Sequence, residues 1–213
     1  MDWEASMKEA VSGGDEVEAA RIADAALEKG VAPGDILEKG AVPGIYEAGR
    51  LWREGTFFLP DIILAAEAFK EVFVKVEPLL KSGDIAYKGK VVIGTVQGDA
   101  HDIGKNLVIA MLRCASYEVV DLGVDVAPYA FVKAACEHEA CVLGMGAYMT
   151  TTMRVMEEVI RLLDEAGLKK RLKVVVGGAA VTRAYAEWLG ADGYGEDAVR
   201  AVEVIDALLG WSR

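Results

Sequence analysis

The chain has 213 residues, 53% of them apolar, with a formal net charge of -11. That is enough apolar material for one large domain or two modest ones, and the scarcity of proline argues against wholesale disorder. The acidic balance argues against nucleic acid as the main partner, and no apolar run or charged-then-apolar leader points to a membrane, so the chain reads as soluble and cytoplasmic.

The first part, through about Lys81, carries helical patterning and no strand signal. Trp3, Met7, Ala10 and Val11 recur at helix spacing before Gly13-Gly14. Asp15 with Glu18 three residues on makes a capping box that opens a helix through Leu27. Pro33 and Pro43 each stand where a first helical turn would begin, and Gly55 interrupts. Pro60 starts a longer helix with Ile62, Ala66, Phe69, Phe73 and Val76 on one stripe, ended by Pro78. Four to five short helices with brief loops predict a small antiparallel bundle over 1–85. Ser82-Gly83-Asp84 and Lys88-Gly89-Lys90 mark the polar break before a second domain, 86–213.

From Lys90 the pattern alternates. Strands are expected at Val91–Val96, Glu118–Leu122, Val142–Gly146, Lys173–Val176 and near Asp192–Tyr194. Helices are expected at Ile103–Ser116, Tyr129–His138, Thr151–Ala166, Arg183–Leu189 and Asp197–Leu209. Five βα units of this length predict an α/β, flavodoxin-like (Rossmann-type) doubly wound parallel sheet. Its chemistry should gather in the loops after the strands: Gly98–Gly104, Gly123–Pro128, Ala147–Thr152, Gly177–Thr182 and Gly195-Glu196. The Gly177-Gly178 pair permits close approach of backbone to a ligand.

The three cysteines argue against a disulfide framework. Cys136 and Cys141, flanking His138, invite a zinc reading. A closed zinc site wants four ligands, and no further Cys or His stands nearby, so these read as small buried hydrophobes.

The first loop, Val96-Gln97-Gly98-Asp99-Ala100-His101-Asp102-Ile103-Gly104-Lys105-Asn106, holds one of only two histidines, between two aspartates. It is not a phosphate loop: five residues separate Gly98 from Gly104, Asn106 stands where a magnesium-binding hydroxyl belongs, and Asp99 and Asp102 would repel phosphate. The glycines also miss the dinucleotide spacing. General acid–base work by His101, oriented by Asp99 or Asp102, stays open, although no nucleophile on a tight turn accompanies it. So does metal ligation by His101, with a carboxylate on the other ring nitrogen; a lone histidine then requires a metal that brings its other ligands, as in a macrocycle. That His101 merely caps a helix or fills a gap is as compatible with the spacing.

Asp99-x-His101-x-x-Gly104 is followed by Gly123-Val124-Asp125-Val126, Ala147-Tyr148-Met149-Thr150-Thr151-Thr152, Gly177-Gly178-Ala179 and Gly190-Ala191-Asp192-Gly193-Tyr194. It is preceded, in the helical half, by Leu51-Trp52-Arg53-Glu54-Gly55-Thr56-Phe57-Phe58-Leu59-Pro60. In this order the motifs resemble the corrinoid (cobalamin-binding) proteins of methyltransferase systems, which are similar to the cobalamin module of methionine synthase.

The resemblance implies methylcobalamin or a related corrinoid, bound base-off with His101 on cobalt and Asp99 hydrogen-bonded to the far side of the imidazole. It implies a slot for the corrinoid tail lined by Gly98, Asp99, Asp102, Ile103 and Gly104, by Gly146, Tyr148, Met149, Thr150 and Thr151, by Gly177, Gly178, Ala179 and Thr182, and by Tyr194. It places Trp52 and Leu59 of the helical domain as a cover over the methyl-bearing face, where they exclude water. The family often carries Ser-x-Leu in the third loop, the serine extending the His–Asp chain. Here Gly146 and Tyr148 stand instead, and Thr150 or a water is the expected substitute.

The function implied is a non-catalytic methyl carrier. It would accept a methyl group through a substrate-specific methyltransferase and pass it on through a second one, to tetrahydrofolate or a thiol, with a corrinoid reactivase as a further partner. Methylamines, methanol and aryl methyl ethers are all compatible donors. Two alternatives share the loop: the cobalamin subunit of an adenosylcobalamin mutase, which leaves the helical domain without a place, and a cobalamin sensor, which needs an output domain.

Overall fold

The computed structural model describes residues 2–80 and 86–211. The chain divides into two compact units, Met1–Ala86 and Tyr87–Arg213. The expected break at Ser82-Gly83-Asp84 lies outside the described residues.

The first unit is helical: α1 (Trp3–Ser12), α2 (Glu16–Glu28), α3 (Pro33–Asp35), α4 (Val42–Arg53) and α5 (Leu59–Val76). Helices α1 and α2 begin on aspartates, Asp2 and Asp15, whose carboxylates accept from backbone amides of the first turn. Only half of the expected capping box forms, because the Glu18 carboxylate pairs with Arg21 and the Asp15 amide donates to the Ala10 carbonyl. Phe58 precedes α5, and the Asp61 carboxylate accepts from its amide at 2.7 Å. The stripe Ile62, Ala66, Phe69, Phe73 and Val76 is buried, with α5 lying against α2 and α1 against α4.

One expectation fails here. Pro33 and Pro43 do not open two separate helices. A π-helical segment, Ile36–Ala41, joins α3 directly to α4, and the Val42 amide donates five residues back to the Leu37 carbonyl. A proline inside an α-helix removes one hydrogen bond and clashes with the preceding turn; a widened turn just before Pro43 relieves both.

The second unit alternates β1 (Lys90–Thr95), α6 (Ile103–Cys114), β2 (Glu118–Asp121), α7 (Pro128–Glu137), β3 (Val142–Gly146), α8 (Val155–Glu165), β4 (Lys173–Gly177), α9 (Arg183–Leu189), β5 (Gly193–Gly195) and α10 (Ala198–Leu208). All pairings are parallel and the order is β2-β1-β3-β4-β5. This is the flavodoxin-like order expected, and its direction reverses between β1 and β3, which is where such sheets bind ligands. Because side chains alternate along a strand, Val92, Leu143, Met145, Val174 and Val176 form one buried face with α7, α8 and α9, while α6 packs with α10. The register aligns Thr95, Gly146, Gly177 and Gly195 in one row across the carboxyl edge. Within that row no residue is larger than threonine.

Helix α8 starts at Val155, not near Thr151. Between Met149 and Glu157 the backbone instead makes three-residue turns, among them Thr152 to Met149 and Val155 to Thr152. The cause lies in the site: the Tyr148 amide and the Thr152 hydroxyl are both drawn onto Asp99. Cys136 is a further correction. It is exposed, Cys141 is half-buried and only Cys114 is buried, because α7 turns Phe131, Val132, Ala134 and Ala135 inward and leaves Cys136 on its outer side. No helix among the described residues is long and apolar enough to cross a membrane.

Candidate functional site

The β1–α6 loop is held from three sides. Thr95, a hydroxyl within the apolar β1, donates to the His101 carbonyl at 2.8 Å. Asp125, from the loop after β2, accepts from the Gly98 amide at 2.7 Å through its carboxylate and donates its own amide to the Asp99 carbonyl. Lys105, in the first turn of α6, is 3% exposed and reaches the Asp121 carboxylate at 2.8 Å and the Asn106 side chain at 2.7 Å. These ties hold the loop against β1 and β2.

Asp99 is fully buried and every oxygen is used. Its Oδ1 accepts from His101 Nδ1 at 2.6 Å and from the His101 amide at 3.1 Å. Its Oδ2 accepts from the Tyr148 amide at 2.7 Å and from Thr152 Oγ1 at 2.8 Å. Burial alone raises the pKa of a carboxyl group, but the bonds from Tyr148, His101 and Thr152 outweigh it and hold Asp99 at about 2. Asp99 is therefore an ionised acceptor at neutral pH. A neutral imidazole facing it carries its proton on Nδ1, which leaves the Nε2 lone pair outward on a ring 59% exposed.

Replacing Asp99 by Asn should remove this arrangement, because an amide cannot accept on both sides and would turn a donor toward Tyr148 or His101. The expected loss is about 2–3 kcal/mol at pH 7. The sign with pH follows from the lowered pKa: the carboxylate's contribution is complete above pH 4 and is lost as pH falls through about 2. Urea unfolding of both proteins from pH 7 to pH 2 should show the gap narrowing, and a constant gap would contradict this assignment.

Of the expected residues, Asp99, His101, Gly104 and Tyr148 come together. The Tyr148 and His101 rings lie 5.5 Å apart at 33°. A Cβ on Gly104 would meet the Tyr148 hydroxyl at 2.5 Å. Burial, with the Asp99 and Asp102 charges, pushes the phenol's pKa up to about 12. Asp102 is exposed and lies near the Asn106 amide at 3.4 Å, so Asp99 alone orients the ring. A Cβ on Gly98 would lie 3.5 Å from the Thr152 methyl. Ile103, Met149, Thr150, Thr151, Ala179 and Thr182 are exposed, and Thr182 caps α9.

Gly177 and Gly178 are needed for contacts within the protein: a Cβ at either would strike the Gly195 or the Ala147 carbonyl. Tyr194 donates to the Val181 carbonyl at 3.1 Å and stacks under Arg183. Trp52, half-buried near the end of α4, and Leu59, exposed at the start of α5, belong to the other unit.

Sequence reasoning missed Thr152 as a member of the chain, expecting Thr150 or a water where Gly146 lacks a hydroxyl. Thr152 is buried and Thr150 exposed. The Thr150-Thr151-Thr152 run was the available signal, but only the loop's path selects among the three.

An open parallel sheet with its polar side chains gathered at the β1/β3 reversal defines a protein that binds a ligand across that crevice. Residues 89–203 match the B12 binding domain model, and residues 3–76 match a second B12 binding domain model. A corrinoid protein of Desulfitobacterium hafniense (strain Y51) is 41% identical over 207 residues, 96% of each chain. Trimethylamine corrinoid protein 1 of Methanosarcina acetivorans is 40% identical over the same share. In the methanol:cobalamin methyltransferase complex MtaBC from Methanosarcina barkeri, one chain superposes with a TM-score of 0.83 at 34% identity, covering 99% of this chain and 81% of that one. The chain belongs to the B12-binding corrinoid protein family.

Proposed function

We propose that the chain is a corrinoid methyl carrier in which His101 Nε2 is the protein's ligand to cobalt, with the corrinoid bound base-off. The observation that carries this reading is the 2.6 Å bond from His101 Nδ1 to the buried Asp99 carboxylate. The donor set fits such a cofactor. Among the described residues no group of three or more His, Cys, Asp and Glu could hold a bare ion. One oriented imidazole is what a metal already ringed by four nitrogens still lacks.

When bound, the corrinoid supplies a cobalt centre that carries and releases a methyl group. The chain's residues do the rest. Asp99 fixes the tautomer and aims Nε2 outward, and Thr152 and the Tyr148 amide keep that carboxylate ionised and in place. If His101 lets go of the metal, Nε2 can take a proton, and the Asp99 charge holds the resulting imidazolium. Gly98, Gly104, Met149, Thr150, Thr151 and the loop Gly177–Thr182 line the approach. The partners are a substrate-specific methyltransferase and a second methyltransferase that passes the group to tetrahydrofolate or a thiol, with a corrinoid reactivase as a further partner. The relatives' names support a methylamine or methanol as donor.

Mixing the purified chain with hydroxocobalamin and desalting should leave the corrinoid's absorbance on the protein in equimolar amount. A colourless protein after that treatment rules the reading out.

A further inference from the structure

We propose that the Tyr148 phenol is a displaceable plug in the β1/β3 crevice, and that a corrinoid reaches His101 only after this side chain has swung out. The proposal rests on the corrinoid reading above and adds to it a gate made by one residue.

The ring lies between two positions that have no side chain. A Cβ on Gly104 would come within 2.9 Å of its Cε1, and a Cβ on Gly146 within 3.4 Å of its Cε2. Gly104 opens α6, which follows β1, and Gly146 ends β3, so the phenol stands where the sheet's direction reverses, the place such sheets use for ligands. Its hydroxyl lies closest to Gly104, where an added Cβ would stand 2.5 Å from it. Its face leans on the His101 ring at 5.5 Å.

The backbone at Tyr148 cannot retreat, because its amide donates to Asp99 Oδ2 at 2.7 Å and Thr152 anchors the far side of the same turn. Opening therefore falls to rotation of the side chain alone. What holds it shut is its packing between the two glycines and against the His101 ring, a barrier small enough to cross and large enough to slow entry. A ligand that binds only the open form has its affinity reduced by the open fraction, so removing the hold raises both the rate of uptake and the affinity.

The test follows hydroxocobalamin uptake by stopped-flow absorbance, with wild type, Tyr148→Phe and Tyr148→Leu, each shown folded by thermal melting. Tyr148→Phe loses only the hydroxyl, the atom nearest Gly104, and should take up the corrinoid faster, and Tyr148→Leu, without ring or hydroxyl, roughly tenfold faster or more. Dissociation constants should tighten in the same order. Rates that are equal, slower or in another order overturn the plug while leaving the corrinoid reading intact. Absence of uptake by all three proteins overturns that reading and the plug with it.

Discussion

Changing His101 to Ala should leave a folded protein that still takes up hydroxocobalamin but no longer supplies a nitrogen to the metal. The absorption spectrum of the loaded variant should move toward that of a water-ligated corrinoid. In the paramagnetic reduced form, the splitting from an axial nitrogen should vanish from the electron spin resonance spectrum. Loss of residues that merely support a metal ligand costs on the order of 10–100-fold in affinity, so loss of the ligand should cost at least that. His138, the other histidine, stands exposed just after α7, and His138→Ala should change neither spectrum nor affinity. Identical spectra for wild type and His101→Ala would remove His101 from the metal. The Asp99 pair would then have to be read as acid–base or structural.

The second large effect expected is on stability, at Gly178. Its φ of +109° is one that side chains rarely adopt, and an added Cβ would lie 2.2 Å from the Ala147 carbonyl oxygen and 2.9 Å from the Ala147 nitrogen. Neither neighbour can give way, since the Ala147 amide donates to the Gly177 carbonyl and the next residue is tied to Asp99. Backbone strain and overpacking together should make Gly178→Ala cost roughly 3 kcal/mol or more, which for a unit of this size lowers the melting temperature by about 10 °C. Gly167→Ala is the control. There φ is also positive, at +67°, but nothing lies within 4 Å, so only the backbone term of about 1 kcal/mol remains. Melting curves that shift equally for the two variants would show that the approach of the β3 and β4 loops is soft.

The strands, their order and the position of the His101 loop were legible in the sequence because each rests on local pattern. Apolar β-branched runs alternate with helical stripes, and the loop after β1 carries its charged residues within seven positions. The pairing of His101 with Asp99 was legible for the same reason, being two residues apart. Thr152 was not: its bond to Asp99 spans 53 positions, and no spacing rule selects it over Thr150 and Thr151. The late start of α8 follows from that bond, so the helix boundary was misplaced for the same cause. The π-helical passage before Pro43 escaped because proline at a helical position reads equally as a first turn or as a widened interior one. Cys136 was misread as buried because small apolar character says little about which side of α7 faces the sheet.

Asp99 has a consequence beyond orientation. One of its oxygens serves the imidazole and the other serves the β3–α8 loop, so the two ends of a single anion report on each other. Whatever charge the imidazole gains or gives up alters the hold on the Tyr148 amide and the Thr152 hydroxyl, and thermodynamic reciprocity requires the reverse influence to be equally strong. Thr150 and Thr151, between those two anchors, are exposed. Whatever binds this short turn from outside thus acts on the charge of the His101 ring through Asp99 without touching it.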